Sequence, residues 1–70
     1  MNNKPVTWII TVNYRTADLV IESLRAVALQ KESLGGGKII IVDNASSDNS
    51  VEKILSVIQL ENWCSWISVI

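Results

Sequence analysis

Two polar clusters carry the side chains of this 70-residue chain that could do chemistry: Asn13-Tyr14-Arg15-Thr16, and the run from Asp43 to Ser50. Asp43 follows an apolar run, in a segment rich in backbone N–H donors. A carboxylate there can accept a hydrogen bond from a nucleobase or a ribose. It can equally cap its own turn by accepting backbone N–H groups two residues on. Position alone leaves both readings open. Asp48, just ahead of an apolar-periodic stretch, reads as a turn or cap residue. Tyr14 offers a ring that can stack on a base and a hydroxyl for a polar partner, or else an aromatic edge to the core. Arg15 could meet a phosphate, although a single loop arginine is usually solvated.

Other chemistries are ruled out by composition. The sequence has no histidine, which removes Ser-His-Asp and Cys-His nucleophiles and zinc sites that need imidazole. Its one cysteine, Cys64, cannot form an internal disulfide and reads as a small packing residue. A formal charge of −1 leaves no basic stripe for nucleic acid. With 49% hydrophobic residues the composition is globular, and the length allows one domain at most. The N-terminal part has Lys4, but its apolar run Val6–Val12 is interrupted by Thr7 and Thr11 and lacks a small-residue cleavage site. That run reads neither as a signal peptide nor as a membrane span.

The elements that must position the two clusters follow from periodicity. Val6–Val12, Lys38–Val42 and Trp66–Ile70 are short, β-branched, mostly apolar runs, as expected for strands of a parallel sheet. Between the first two, Ala17, Val20, Ile21, Leu24, Val27 and Ala28 recur at helical spacing within Ala17–Gln30. Thr16 is the expected N-cap, Asp18 complements the positive helix end, and Glu22 can pair with Arg25. Gly35-Gly36-Gly37 then provides a flexible return. A second helix is expected from near Val51, capped by Asn49 or Ser50, with Val51, Ile54, Leu55 and Ile58 inward. Trp8, Trp63 and Trp66 read as core or edge residues. The order βαβαβ implies an α/β unit with parallel strands and right-handed crossovers. Ligands of such sheets bind beyond the carboxyl ends of the strands, which is where both polar clusters fall.

Familiar templates fail at this edge. A dinucleotide-binding unit needs G-x-G-x-x-G after the first strand, where this chain has Asn13-Tyr14-Arg15-Thr16-Ala17-Asp18. The three glycines precede a strand and cannot cradle a pyrophosphate. No Walker A sequence is present. A calcium hand starting at Asp43 would need Gly at Asp48 and Glu at Ile54. Asn44-Ala45-Ser46 forms a glycosylation sequon, without other signs of secretion.

Val12-Asn13-Tyr14-Arg15-Thr16-Ala17-Asp18-Leu19 and Ile41-Val42-Asp43-Asn44-Ala45-Ser46-Ser47-Asp48-Asn49-Ser50 resemble the start of family 2 glycosyltransferases, in particular bacterial rhamnosyltransferases and related polysaccharide-building enzymes. The resemblance covers almost the whole chain. It implies the N-terminal, nucleotide-binding part of a Rossmann-like GT-A fold, truncated, with residues 1–70 forming a partial nucleotide-sugar-binding domain. It implies that Tyr14 and Asp43, with Asn13 beside them, hold the base of a UDP- or dTDP-sugar donor, and that the full enzyme passes the sugar to a glycan acceptor. An ionised carboxylate accepts the imide N–H of uracil or thymine, whereas cytosine offers a lone pair at that place. The family also implies a divalent metal, Mg²⁺ or Mn²⁺, on the donor diphosphate. Its acidic metal motif and the acid that deprotonates the acceptor lie after later strands, so no catalytic or metal residue is expected within these 70. The implied location is cytoplasmic or peripheral at the inner membrane. The chain departs from the family at Asn44, often a second acid, and at Ala45 and Asn49, often glycines. A left-handed backbone suits Asn better than Ala.

Two other readings stand beside this one. A standalone, non-catalytic nucleotide-binding or protein-interaction module would carry polar residues on one sheet face, which Ile39-Ile40-Ile41-Val42 does not. A receiver-like domain would need clustered acids after the first strand, where Asn13-Tyr14-Arg15 stands. If the strands lie in the order first, second, third, both helices fall on one face and leave the other apolar face uncovered, so the chain is expected to associate with itself.

Overall fold

The computed structural model describes residues 5–46 and 48–70; Lys4 and Ser47 lie outside them. It is an α/β unit of three parallel strands and two helices in the order βαβαβ: β1 (Ile9–Asn13), α1 (Ala17–Ala28), β2 (Ile39–Asp43), α2 (Ser50–Leu60) and β3 (Ile67–Val69). The strands lie in the order β1-β2-β3. Ile9 is in register with Ile39, and Ile39 with Ile67, all parallel.

β1 starts three residues later than the apolar run suggests. Its missing partners would be residues 36–38, but Gly36 holds φ at 90° and turns that segment away. The Thr7 N–H donates instead to the Leu34 carbonyl, at 2.9 Å. Gly37 passes so close that a Cβ there would collide with the Thr7 carbonyl oxygen. The glycine triplet is thus a fixed turn, not a slack return. Ahead of it lies a 3₁₀ turn, Lys31–Leu34, that helical periodicity did not foretell. It buries Leu34 and shortens α1 by two residues relative to the expected end at Gln30. β3 is also shorter than the apolar run, although the Ile39 N–H to Trp66 carbonyl bond (2.8 Å) and the Ile70 N–H to Ile41 carbonyl bond (2.9 Å) continue its pairing.

Alternation along the strands divides the sheet into two different faces. Ile39, Ile41 and Ile67 pack with Ala17, Val20 and Leu24 of α1 and with Ile54 and Ile58 of α2 in one core. Both helices therefore lie on the same face. Trp63 and Trp66 close the end of that core edge to face, with centroids 6.0 Å apart. The residues between them in register point the other way. Ile10 is 69% exposed and Val12 61% exposed, with Ile40 and Val42 half-buried beside them. Trp8 also lies exposed, at a solvent-facing place rather than in the core. Parallel sheets normally have both faces covered; here the described residues cover one.

Three expected details differ. Leu55 is exposed and Ser50 is buried instead, because the inward face of α2 runs Ser50-Ile54-Val57-Ile58. Arg25 pairs with Glu61, at 2.6 Å, so its partner lies on the neighbouring helix end rather than one turn back at Glu22. Thr16 occupies the N-cap position of α1 without a side-chain cap bond; its hydroxyl donates to Asn13 Oδ1 at 3.1 Å.

Candidate nucleotide-base site

The carboxyl ends of β1 and β2 bring Asn13 and Asp43 side by side as register partners. Asn13 is fully buried, and its amide is used on both sides. Nδ2 donates to Asp43 Oδ1 at 2.9 Å and to Ser46 Oγ at 3.3 Å. Oδ1 accepts from the Thr16 N–H at 3.3 Å and from the Thr16 hydroxyl at 3.1 Å. An amide suits this place because it donates and accepts at once. It anchors the turn after β1 and aims a donor at the carboxylate after β2.

Asp43 is half-buried. Its second oxygen accepts the Ser46 N–H at 3.0 Å. The Asn13 amide, then the Ser46 hydroxyl and N–H, hold its carboxyl below the ordinary carboxylate pKa, against a smaller opposing effect of burial. It is therefore a firmly ionised group. Asp43 does cap its own turn, through the N–H three residues on rather than two, but a carboxylate has about four acceptor positions, so capping leaves capacity for a ligand donor. Asp48 is the turn residue its position suggests: Oδ1 accepts the Ser50 N–H at 3.0 Å. Its bonds to Ser50, and more weakly the positive charge of Arg15, lower its pKa.

Tyr14 directly follows Asn13 and is 51% exposed. The Arg15 guanidinium stands over its ring, 5.5 Å from the centroid, a cation–π arrangement. Arg15 has φ of 55° and Ala45 has φ of 53°. Both are left-handed, which L-residues other than Asn and Asp rarely adopt. Asn49, by contrast, has φ of −90°. The two glycine-favouring positions of the family pattern thus differ: the loop needs a left-handed residue at Ala45 and not at Asn49.

Next to this edge, a cavity of about 200 Å³ lies between the starts of α1 and α2, lined by Arg15, Thr16, Asp18, Asp48, Ser50 and Lys53 among others. Neither Tyr14 nor Asp43 lines it. Among the described residues no group of three or more Cys, Asp or Glu side chains is placed to hold a metal ion. No described helix is long and apolar enough to cross a membrane.

Ser46 is the site residue that pattern reading passed over. Its hydroxyl accepts from Asn13 Nδ2 and, at 3.0 Å, from the Arg15 N–H. Its place three residues after Asp43, the spacing at which a capping side chain accepts a following backbone N–H, is the signal that could have found it. In comparisons with known proteins, no family model matches the chain, and no curated protein or solved structure matches it.

Proposed function

We propose that this chain is the base-recognising part of a family 2 glycosyltransferase of GT-A fold, which takes its sugar from a UDP- or dTDP-linked donor. The observation that carries the reading is the ionised Asp43 carboxylate at the strand end, oriented by Asn13 and Ser46, one strand away from the exposed ring of Tyr14. In this reading the imide N–H of uracil or thymine donates to Asp43, and the base stacks on Tyr14. Asn13 does not reach the ligand; it fixes the carboxylate. Transfer itself would join an acceptor hydroxyl of a glycan to the sugar carbon as the nucleoside diphosphate leaves, using residues other than those of this edge.

A cytosine ring presents a lone pair where uracil presents N–H. UDP and dTDP should therefore bind, and CDP should bind at least about tenfold more weakly, the worth of one charge-assisted hydrogen bond. Calorimetric titration of the chain with the three nucleotides tests this. Equal affinity for all three would remove Asp43 from base recognition.

A further inference from the structure

The sheet face turned away from the helices is apolar across all three strands. By alternation it carries Trp8, Ile10 and Val12 from β1 and the residues before it, Ile40 and Val42 from β2, and Ser68 and Ile70 from β3 and its end. Trp8, Ile10, Val12 and Ile70 are each between 55% and 73% exposed. Ile10 stands beside Ile40 in register, and Val12 beside Val42, so the patch is continuous. At the transfer areas of such side chains it presents roughly 400–500 Å² per copy. The Tyr14 ring and the Lys38 stem at its rim bring two such faces to on the order of 1,000 Å² in all, the lower limit for specific association. A second copy of this face is therefore enough for a weak, reversible dimer and too little for a tight one.

Charge decides how two such faces meet. Lys38 is exposed at the amino end of β2 and is the one charged residue in outward alternation on this face among the described residues. The turns beyond the carboxyl ends hold Asp43 and Asp48 against Arg15, so that end is negative even with the Arg15 charge acting on Asp48. Sheets packed face to face lie about 10 Å apart with their strands nearly aligned, and a two-fold axis can set those strands parallel or antiparallel. Parallel strands would place Lys38 against its own copy and the two negative ends against each other. Antiparallel strands place each Lys38 against the negative end of the other copy.

We infer that this face joins two copies of the chain in a closed two-fold dimer, sheet on sheet with antiparallel strands, Lys38 of each copy lying over the carboxyl end of the other's β2. Such an interface uses the same patch on both copies, so association stops at two. Pairing of the open β1 edge with the β3 edge of another copy would instead be heterologous and would continue into a filament.

Sedimentation across the micromolar range should show monomer and dimer in exchange and no larger species. Ile10→Lys with Val12→Lys should raise the dissociation constant by at least about tenfold, the worth of one aliphatic side chain kept from burial. Cross-linking reads the orientation. In a Cys64→Ser background, Asn44→Cys leaves Lys38 in place and puts a thiol beyond the other end of β2, about 20 Å away within the same chain. A short maleimide–succinimidyl ester reagent cannot span that distance. It should join Lys38 of one copy to position 44 of the other, with the linked peptides found only in covalent dimer. A wild type that stays monomeric throughout that range, growth beyond the dimer, or a dimer indifferent to the two lysines would overturn the interface. A dimer in which an amine-only reagent joins Lys38 to Lys38, or in which Lys38 never links to position 44, would overturn the antiparallel arrangement. The cross-link needs no change on the apolar face, so it remains decisive even if Ile10→Lys with Val12→Lys fails to fold.

Discussion

Ala45→Gly should make the chain more stable, although it removes a side-chain atom. Ala45 holds φ at 53°, where the Cβ of an L-residue crowds the following carbonyl at a cost of about 1–2 kcal/mol. Glycine carries no such cost, but its freer unfolded chain opposes the gain by about 0.5–1 kcal/mol. Ala45 is exposed, so no packing is lost with the methyl group. The net expectation is a gain of about 1 kcal/mol, which for a domain of this size raises Tm by about 4–8 °C. Asn49→Gly is the matched control. Its φ of −90° is ordinary for any residue, so glycine there gives only the entropic loss and lowers Tm. Thermal unfolding followed by circular dichroism, with all proteins at one concentration, compares the two. A Tm for Ala45→Gly equal to or below that of the wild type would refute the assignment of strain to this loop, as would equal gains from both variants.

The uncovered sheet face gives a second expectation: the chain self-associates at micromolar concentration, and Ile10→Lys with Val12→Lys shifts it toward monomer in sedimentation without changing its far-UV spectrum. A wild-type chain that sediments as a monomer would show that this face needs no cover. Acid should weaken the fold through Asp43, whose folded pKa lies below its unfolded value. The stabilisation is present above the unfolded pKa of about 4 and is lost as pH falls through the folded pKa. Urea midpoints should therefore drop between about pH 5 and 3. The drop should be smaller in Asp43→Asn and should persist in part, because Asp48 is shifted in the same direction. An identical pH profile for the two proteins would contradict the hydrogen-bond pattern around Asp43.

The parts of the fold that depend on periodicity were legible in the sequence. The runs at Ile39–Val42 and Val20–Leu24 foretold β2 and α1, and the order of elements foretold a parallel sheet; that both helices share one face followed only once the strand order β1-β2-β3 was known. Strand ends were less legible, because pairing at Thr7 and Trp8 depends on what residues 36–38 do, and the turn at Gly36 is a tertiary fact. The turn at Lys31–Leu34 was hidden because one buried leucine has no period. Leu55 and Ser50 exchanged places because a helix face is set by what it meets, and Ser50 fits under the Asp48 turn. At the site, Asp43 stood out by its position after an apolar strand. The shared role of Asn13 and Ser46 could not be read, since it spans 33 residues of sequence and appears only once β1 and β2 are in register.

The most direct test of the central claim is nucleotide binding by the wild type and by Asp43→Ala, titrated with UDP and dTDP by calorimetry. Loss of one hydrogen bond to a charged acceptor is worth about 1.5–3 kcal/mol, so Asp43→Ala should bind at least about tenfold more weakly. Circular dichroism of both proteins establishes that the fold is kept. Binding of both nucleotides by the wild type, weakened in Asp43→Ala, is the predicted result. Unchanged affinity in Asp43→Ala, or no binding of either nucleotide by the folded wild type, would contradict the account.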